Sequence, residues 1–261
     1  IGEWDWAGLG VDLVVETSGA IKKRPGLAEH IARGAKKVIM SAPVSDADVT
    51  IVMGVNDGVY DPASHDVISS ASCTTNCLAP VAKVLNDVFG IEHGLMTTIH
   101  SYTMSQRLLD GSQKDIRRAR AAAMSMIPTT TGAAKAVGVV IPELKGKMTG
   151  MSFRVPTNDV SVVDLTARLS RTTTYAEICY AVRHASETYM KDIIGYTTDQ
   201  VVSTDLIADP CPCVFDEKAG IMLDHDFVKL IAWYDNEFGY SNMVVRMLQH
   251  MYDVDQAALN Q

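Results

Sequence analysis

The first part of the chain contains short apolar runs that do not alternate with polar positions. Residues 11–15, 37–40, 49–54 and 66–69 are such runs, and small polar residues follow most of them. Runs of this kind are typical of buried parallel strands, whose carboxyl ends carry ligand-binding loops. With a helix predicted over residues 24–33, the pattern indicates an α/β arrangement built on a partial Rossmann-type parallel sheet.

A different pattern begins near Cys73. Leu78, Val81, Leu85 and Val88 recur at spacings of three and four, which predicts a long helix starting at or near that cysteine. Further strands are predicted over residues 94–99, 151–155, 160–165, 201–206, 213–215 and 227–233. A T-x-x-E capping box at 174–177 predicts another helix, in which Cys179 is buried, and a last helix is predicted after position 240. The pattern therefore indicates an α+β unit, a mostly antiparallel sheet with helices on one face.

These patterns predict three parts. Residues 1–72 form the C-terminal part of a dinucleotide-binding domain, residues 73–235 a catalytic domain, and residues 236–261 a C-terminal helix that returns to the cofactor domain. The sequence shows neither the glycine-rich turn that opens a dinucleotide-binding domain nor the acidic residue that holds the ribose. We therefore expect the chain to be N-terminally incomplete, with only part of a dinucleotide site.

Composition narrows the possible partners. The 261 residues carry a formal net charge of −8, which argues against nucleic acid or an acidic membrane surface as a partner. Five cysteines without a framework spacing indicate free thiols in a reducing compartment, so we expect a cytoplasmic protein. The sequence contains no run of the ~18–20 apolar residues that a membrane span needs. The cysteine spacings are not those of metal ligands, and we expect no metal site.

The chemistry is predicted at Cys73. At a helix N-terminus, unpaired N–H groups and the helix dipole favour an anion, so we expect a lowered thiol pKa and a nucleophilic role. His100 follows a strand and is a candidate general base. Taken alone, each residue also has a purely structural interpretation: Cys73 as a residue near a helix start, and His100 as a histidine at a strand end with its hydrogen bonds formed.

Five motifs occur in order along the chain: ASCTTNCL at 71–78, HSYT at 100–103, TGAAKAV at 131–137, FRVPT at 153–157 and WYDNEFGY at 233–240. Together they resemble the phosphorylating glyceraldehyde-3-phosphate dehydrogenases nearly end to end. The resemblance implies NAD-dependent oxidation and phosphorylation of glyceraldehyde 3-phosphate in glycolysis and gluconeogenesis, by a homotetramer, with NADP open as an alternative cofactor. Because half of the dinucleotide site is not encoded, we expect the chain to be inactive by itself as a dehydrogenase. The family commonly has Asn at Ser70 and Pro at Asn158, departures that remove no catalytic group.

The resemblance also implies residue roles. Cys73 forms a thiohemiacetal and then a thioester, with His100 as the base. The substrate phosphate is held by Thr103, Arg117 and Arg154, and the attacking phosphate by Ser72, Thr74, Thr131 and Gly132. The cofactor contacts are Ser18, Gly19, Ser41, Asn236 and Tyr240. Arg118 and Arg120 are expected in structural or intersubunit pairs, and Trp233 and Tyr234 in the core.

Three alternatives stay open from the sequence. Erythrose-4-phosphate dehydrogenase shares the cysteine and histidine motifs, although the TGAAKA run favours the triose phosphate; turnover of the two aldehydes with and without phosphate separates them. A cysteine acyltransferase or esterase has no redox role and gives no nicotinamide absorbance change. A non-catalytic fragment that serves as an interaction module is the third.

Overall fold

The computed structural model describes residues 4–259. Two compact units form: one contains the chain up to Ser72 together with the part from Met243 onward, and the other is Cys73–Asn242. Among the described residues, none of the helices has the length and hydrophobicity that a membrane span requires.

The first unit is built on a four-stranded parallel sheet. Its elements are β1 (Leu13–Glu16), α1 (Arg24–Ala32), β2 (Lys37–Met40), β3 (Val49–Thr50) and β4 (Val67–Ser69). The strands lie in the order β1-β2-β4-β3, and each neighbouring pair is parallel. The partial Rossmann-type arrangement predicted from the sequence is confirmed.

Both faces of this sheet are covered. On β2, Val38 joins an apolar cluster with Leu27 of α1, whereas Ile39 joins a cluster with Met247 and Met251. Successive side chains of a strand point to opposite faces, so each face of β2 meets its own apolar layer. The strand is consequently buried along its whole length, which explains why its sequence does not alternate.

The strand predicted over residues 49–54 proved too long, because β3 ends at Thr50. The side chain of Asn56 ends the ladder: its Oδ1 accepts the N–H of Val52 at 2.8 Å, and its Nδ2 donates to the carbonyl of Thr50 at 2.9 Å. Asparagine side chains compete with sheet bonding in this way.

The second unit is built on a seven-stranded sheet. In chain order its elements are α2 (Cys73–Phe89), β5 (Ile91–Ser101), β6 (Ile127–Thr130), α3 (Ala133–Val140), β7 (Met148–Val155), β8 (Ser161–Leu169), α4 (Tyr175–Glu187), β9 (Ile194–Thr197), β10 (Cys213–Leu223), β11 (Phe227–Tyr234) and the start of α5 (Phe238–Leu259). The strand order is β6-β7-β5-β8-β11-β10-β9. Two pairs, β5 with β7 and β9 with β10, are parallel and the other pairs are antiparallel, so the mostly antiparallel sheet is confirmed.

Helices cover one face of this sheet, as predicted. Helix α2 packs on α3 and α4 and against β8, β10 and β11, so these helices form one layer. Along β11, buried and partly buried positions alternate, the pattern of a sheet with one face on the core. Helix α4 begins at the predicted capping box, where Thr174 and Glu177 each accept the other's N–H, and Cys179 is buried.

The strand predicted over residues 201–206 was wrong. This segment ends in one turn of 3-10 helix, Ser203–Leu206, and the carboxylate of Asp205 accepts the N–H of Val202 at 2.8 Å. The carboxylate thus occupies the N–H of Val202, which could otherwise pair with a neighbouring strand. Strands β6 and β9 and helix α3 were not predicted, because each has eight residues or fewer and little periodicity.

Helix α5 begins at Phe238, earlier than the predicted start after Tyr240. Asp235 is the reason: its carboxylate accepts the N–H of Glu237 at 2.9 Å and that of Phe238 at 2.7 Å. An aspartate at this position satisfies N–H groups that the first turn of a helix leaves unpaired.

Candidate active site

The backbone immediately before α2 is strained, and α2 begins at Cys73, as predicted. Ala71 is fully buried and has a φ of 56°, in the left-handed region that non-glycine residues avoid. This conformation costs roughly 1–2 kcal/mol. Its N–H is held by the hydroxyl of Ser69 at 3.2 Å. Strain of this kind concentrates at functional sites, where surrounding structure maintains it.

The thiol of Cys73 contacts the ring of His100, with 3.5 Å between Sγ and Nε2. His100 is near the end of β5 and only 3% exposed, while Cys73 is partly buried. Because β5 is paired with β7 on one side and β8 on the other, the backbone beneath the imidazole is fixed. A thiol and an imidazole in contact can exchange a proton.

The electrostatics of this pair differ from the sequence expectation. Burial raises the pKa of the Cys73 thiol, and this outweighs the lowering by hydrogen bonds from Thr74 and by the charge of Arg154. Burial, assisted by the charge of Arg154, lowers the pKa of His100 to about 3. The lowered thiol pKa expected from the helix N-terminus is therefore wrong.

Arg154 lies on the other side of the imidazole. Strands β5 and β7 are parallel with His100 directly beside Arg154, so the two side chains leave the same face of the sheet. The Nη1 of Arg154 is 2.7 Å from Nδ1 of His100, 3.0 Å from the carbonyl of Ser101 and 3.5 Å from Oγ1 of Thr103. The site therefore contains a cation, a base and a nucleophile in a row.

Tyr234 completes the site and was predicted only as a core residue. It is 1% exposed, and its ring meets that of His100 edge-on with 5.8 Å between centroids. Its hydroxyl lies 2.8 Å from Oγ1 of Thr74 and 2.8 Å from Oγ1 of Thr98. Tyr234 thus links α2, which carries the thiol, to β5, which carries the imidazole. Its position after a buried strand indicated burial but not these partners.

Arg117 and Arg118 are adjacent in sequence but differ in exposure, and Arg118 is the one that packs into the protein. Arg117 is exposed, whereas Arg118 is partly buried and donates from Nε to Oγ1 of Thr129 at 2.9 Å. Burial lowers the pKa of Arg154, and the charge of Arg118 adds a smaller lowering. Arg120 forms an exposed pair with Asp110 at 3.2 Å, in line with the structural role expected for it.

The remaining phosphate candidates lie at the starts of two helices. Ser72 directly precedes α2, and the hydroxyl of Thr74 lies 4.0 Å from the sulfur of Cys73. Gly132 directly precedes α3, and the Oγ1 of Thr131 accepts the N–H of Ala133 at 3.2 Å. Helix starts present N–H groups that suit an anion.

The cofactor candidates fall in two groups. In the first unit, Ser18 and Gly19 follow β1 and Ser41 follows β2, at the carboxyl ends of parallel strands. In the second unit, Asn236 is 6% exposed and its Oδ1 accepts the hydroxyl of Ser161 at 2.7 Å, while Tyr240 lies in the first turn of α5.

Comparison with known proteins agrees with this geometry. Residues 72–236 match the family model described as glyceraldehyde 3-phosphate dehydrogenase, C-terminal domain. The chain is 56% identical over 248 residues to a protein of Chlamydomonas reinhardtii named glyceraldehyde-3-phosphate dehydrogenase, cytosolic, covering 95% of this chain and 72% of that protein. It is 57% identical over 250 residues to the Pisum sativum protein of the same name, covering 95% and 73%. It is also 57% identical over 253 residues to glyceraldehyde-3-phosphate dehydrogenase 1 of Mucor circinelloides f. lusitanicus, covering 97% and 74%.

Proposed function

Since the chain belongs to the glyceraldehyde-3-phosphate dehydrogenase family, we propose that it oxidises and phosphorylates glyceraldehyde 3-phosphate through a cysteine-bound acyl group. The observation that carries the proposal is the contact of 3.5 Å between the Cys73 thiol and His100, with Arg154 beside the imidazole. A nucleophile, a base and a cation for an anionic substrate are the groups that this reaction needs.

In the proposed reaction, the sulfur of Cys73 attacks the aldehyde carbon while its proton passes to Nε2 of His100. The alkoxide that forms takes this proton back from the imidazolium, which gives the thiohemiacetal. The thiohemiacetal then loses its hydroxyl proton to the imidazole as a hydride leaves carbon, and a thioester remains. Inorganic phosphate then attacks the thioester carbon and the thiolate leaves, so the product is an acyl phosphate. A general base in this position contributes ~10²–10⁴-fold to such steps.

Anion recognition is assigned to specific donors because the net charge of the chain is −8. Thr103 and Arg154 suit the substrate phosphate, since they lie within 3.5 Å of each other. For the attacking phosphate we propose the two helix starts, with Ser72, Thr74, Thr131 and Gly132. The resemblance assigned Arg117 to the substrate phosphate; in its place we propose Arg118, which is partly buried and donates to Oγ1 of Thr129 on β6, whereas Arg117 is exposed.

NAD is the proposed hydride acceptor, and it supplies the oxidation when bound. The residues present fit its nicotinamide end: Oδ1 of Asn236 is fixed by Ser161, and Nδ2 makes one long bond of 3.4 Å to Glu237, so its second N–H suits a carboxamide oxygen. Gly19 has a φ of 68° with open space where a Cβ would stand, as close approach to a ligand requires. We assign Ser18, Ser41 and Tyr240 to the same cofactor.

The location and assembly of the protein are further proposals. Two of the relatives named above carry the word cytosolic, and we place this protein in the cytoplasm on that ground. A self-associating surface is supported by a run of exposed apolar side chains between positions 104 and 126: Met104, Leu108, Leu109, Ile116, Met124 and Met126. We therefore propose a homotetramer. Within one chain we propose a catalytic domain over residues 73–235, with a cofactor-binding part before it in sequence and a C-terminal helix after it.

Acylation of the thiol tests the proposal without the cofactor. Acetyl phosphate should acylate Cys73, since the thiolate displaces inorganic phosphate from the acyl carbon. We expect mass spectrometry to find one acetyl group on the Cys73 peptide. Cys73→Ser should abolish the label and Cys77→Ser should retain it. Labelling of buried cysteines in a chain that leaves Cys73 free would contradict the proposal.

Anion recognition is tested by comparing two aldehydes. In an enzyme with a complete cofactor-binding domain, Arg154→Ala and Arg118→Ala should lose far more kcat/KM on glyceraldehyde 3-phosphate than on unphosphorylated glyceraldehyde, because the remote phosphate positions the carbonyl. Arg117→Ala is the matched comparison. A larger loss for Arg117→Ala than for Arg118→Ala would restore the assignment made from the resemblance.

A further inference from the structure

Buried polar atoms without partners are concentrated in one region of the second unit. Among the described residues, the side-chain atoms that are buried without a hydrogen-bond partner are Nε2 of Gln106, Oε1 of Gln113, Oγ of Ser152 and Nε of Arg154. Gln106, Gln113 and Arg154 all contact the segment 103–105. An unpaired polar group in the interior is costly, so several of them around one segment indicate a ligand that pairs with them.

Thr103 contacts two side chains that have unpaired donors. Oε1 of Gln106 accepts the N–H of Thr103 at 3.3 Å, and Nη1 of Arg154 lies 3.5 Å from Oγ1 of the same threonine. Nε2 of Gln106 and Nε of Arg154 are the nitrogen atoms that remain unpaired. Both are hydrogen-bond donors and not acceptors. The threonine proposed for the substrate phosphate therefore has two N–H donors near it, and both lack an acceptor.

The orientation of the Gln106 amide follows from its contacts. Gln106 is 6% exposed, and its backbone N–H donates to the carbonyl of Thr103 at 3.0 Å, which closes a turn over residues 103–106. Because the N–H of Thr103 requires an acceptor, the end of the amide that meets it is the oxygen. The other end is consequently the NH₂ group. Exchanging the two ends would leave the N–H of Thr103 facing a second donor.

The nature of these donors selects an anion. Arg154 contributes a full positive charge, and among residues 4–259 its guanidinium forms no ion pair. Gln106 contributes a neutral N–H group, and Thr103 contributes a hydroxyl. A phosphate group carries several oxygen atoms on one centre, so it can accept bonds from all three side chains at once. Oε1 of Gln113 is an acceptor and does not suit a phosphate oxygen, so Gln113 is not part of this set.

We propose that Gln106 is a specificity-determining residue that binds the substrate phosphate: its Nε2 donates to a phosphate oxygen while Arg154 and Thr103 hold the same group. The inference rests on the proposed function, in which Thr103 and Arg154 bind that phosphate. Gln106 makes the site prefer a phosphorylated aldehyde to an unphosphorylated one, because without the phosphate its Nε2 stays unpaired in the interior. The HSYT motif ends at Thr103, so the resemblance assigned no role to Gln106.

Glycerol 3-phosphate is a suitable probe because it carries the phosphate group but no aldehyde. Thr103, Gln106 and Arg154 all lie in the second unit, so binding can be measured on the chain itself. In the ¹⁵N-labelled wild-type chain, saturation with glycerol 3-phosphate should move one Nε2 proton of Gln106 downfield, as a bond to a charged oxygen does. Glycerol at the same concentration should leave this signal unchanged. An unchanged Gln106 signal with glycerol 3-phosphate bound would overturn the inference, and this result does not depend on the folding of a variant.

Two substitutions separate a binding role from a structural one. In Gln106→Met, which has no polar group, the Kd for glycerol 3-phosphate measured by calorimetry should rise about tenfold, the effect of one lost bond to a charged group. Gln106→Glu keeps an acceptor for the N–H of Thr103 but replaces the donor with an anionic oxygen, so its Kd should rise further. If Gln106 only held Thr103 in place, Gln106→Glu would bind normally. If only charge mattered, Gln106→Met would bind normally. Either result would overturn the inference.

Two further variants provide the references. Gln200→Glu adds the same charge at an exposed position of the second unit and should bind as the wild type does. Arg154→Met should lose most of the affinity, because it removes the cation of the set. If Arg154→Met loses the affinity and Gln106→Met keeps it, the inference fails and the proposed phosphate site stands. If Arg154→Met binds as the wild type does, glycerol 3-phosphate is held elsewhere, and the proposed function loses its phosphate site together with the inference.

Discussion

Two buried histidines in the molecule have opposite surroundings. His30, on α1 in the first unit, and His100, on β5 in the second, are 2% and 3% exposed. Nε2 of His30 lies 3.2 Å from the carboxylate of Glu16, and its Nδ1 accepts the indole N–H of Trp6 at 3.2 Å. Its ring stacks on that of Trp4 with 4.1 Å between centroids. Both nitrogens of His30 therefore have partners that suit a single tautomer.

His100 has partners that do not agree on one tautomer. A guanidinium and a carbonyl both approach its Nδ1, and its Nε2 faces a thiol that can donate or accept. Burial is therefore shared by the two histidines, and the character of the neighbours distinguishes them. A carboxylate and an indole fix His30 as a structural residue, while a cation and a thiol leave His100 with a proton to move.

Replacing each histidine should separate the roles most strongly. His100→Asn should reduce the rate of Cys73 acylation by acetyl phosphate by ~10²–10⁴-fold, because the base is lost. His30→Asn should lower stability by ~1–3 kcal/mol, because Glu16 loses a buried partner. Acylation reactions quenched at successive times and analysed by mass spectrometry measure the rate. Urea unfolding of the same variants measures the free energy of unfolding.

In folded protein, His30→Asn should leave the acylation rate unchanged. Comparable loss of acylation in both variants would show that the difference in neighbours does not decide function. A His100→Asn variant that acylates at the wild-type rate would remove His100 from the base role.

The pH dependence of stability provides the next comparison. The pKa of His100 is lowered to about 3 from an ordinary value of 6.5, so between these values the unfolded chain binds more protons than the folded one. The free energy of unfolding should therefore be largest above pH 6.5 and fall with decreasing pH, by about 1.4 kcal/mol per pH unit from this group. His100→Asn should remove that part of the slope. Urea unfolding between pH 7 and pH 5 measures both slopes. If the wild-type chain and His100→Asn had the same slope, His100 would already be protonated in the folded chain over this range.

The sequence predicted the features of the His100 site that depend on the local pattern of residues. The start of α2 at Cys73 and the delivery of His100 by β5 follow from helical spacing and from an apolar run, and both are confirmed. The neighbour of His100 does not follow from local pattern. Arg154 stands beside it through parallel pairing of β5 and β7, whose connection carries β6 and α3, and neither of these was predicted.

Two other features needed the three-dimensional structure. Helix position predicted a lowered pKa for Cys73, but desolvation depends on which elements cover the sulfur and proved the larger effect. Arg117 and Arg118 are adjacent in sequence with equal charge, and a motif cannot say which one turns inward. The partner of Arg118, Thr129 on β6, is the distinguishing contact.

A smaller effect is expected at the tyrosine that links the two reacting groups. Tyr234→Phe removes the hydroxyl shared by Thr74 and Thr98, and each lost bond costs about 1 kcal/mol. We expect a total loss of ~1–2 kcal/mol in the free energy of unfolding. Since the ring remains edge-on to His100, acylation of Cys73 should change little. A loss of acylation as large as that of His100→Asn would give the hydroxyl a direct role in the chemistry.

The smallest effect concerns the carboxylate that makes His30 a structural residue. Burial pushes the pKa of Glu16 upward, but hydrogen bonds from Ser18 and His30 outweigh it, and the pKa lies below the ordinary 4.5. Its contribution to stability is therefore complete above pH 4.5 and is lost as the pH falls through the lower, folded value. Glu16→Gln should flatten the stability curve below that pH and leave the slope from His100 between pH 7 and pH 5 intact. His30→Asn should weaken the same acid limb, because it removes one of the groups that lower the pKa of Glu16. If Glu16→Gln instead altered the slope above pH 5, the two histidine environments would not titrate independently, and the contrast between them would have to be revised.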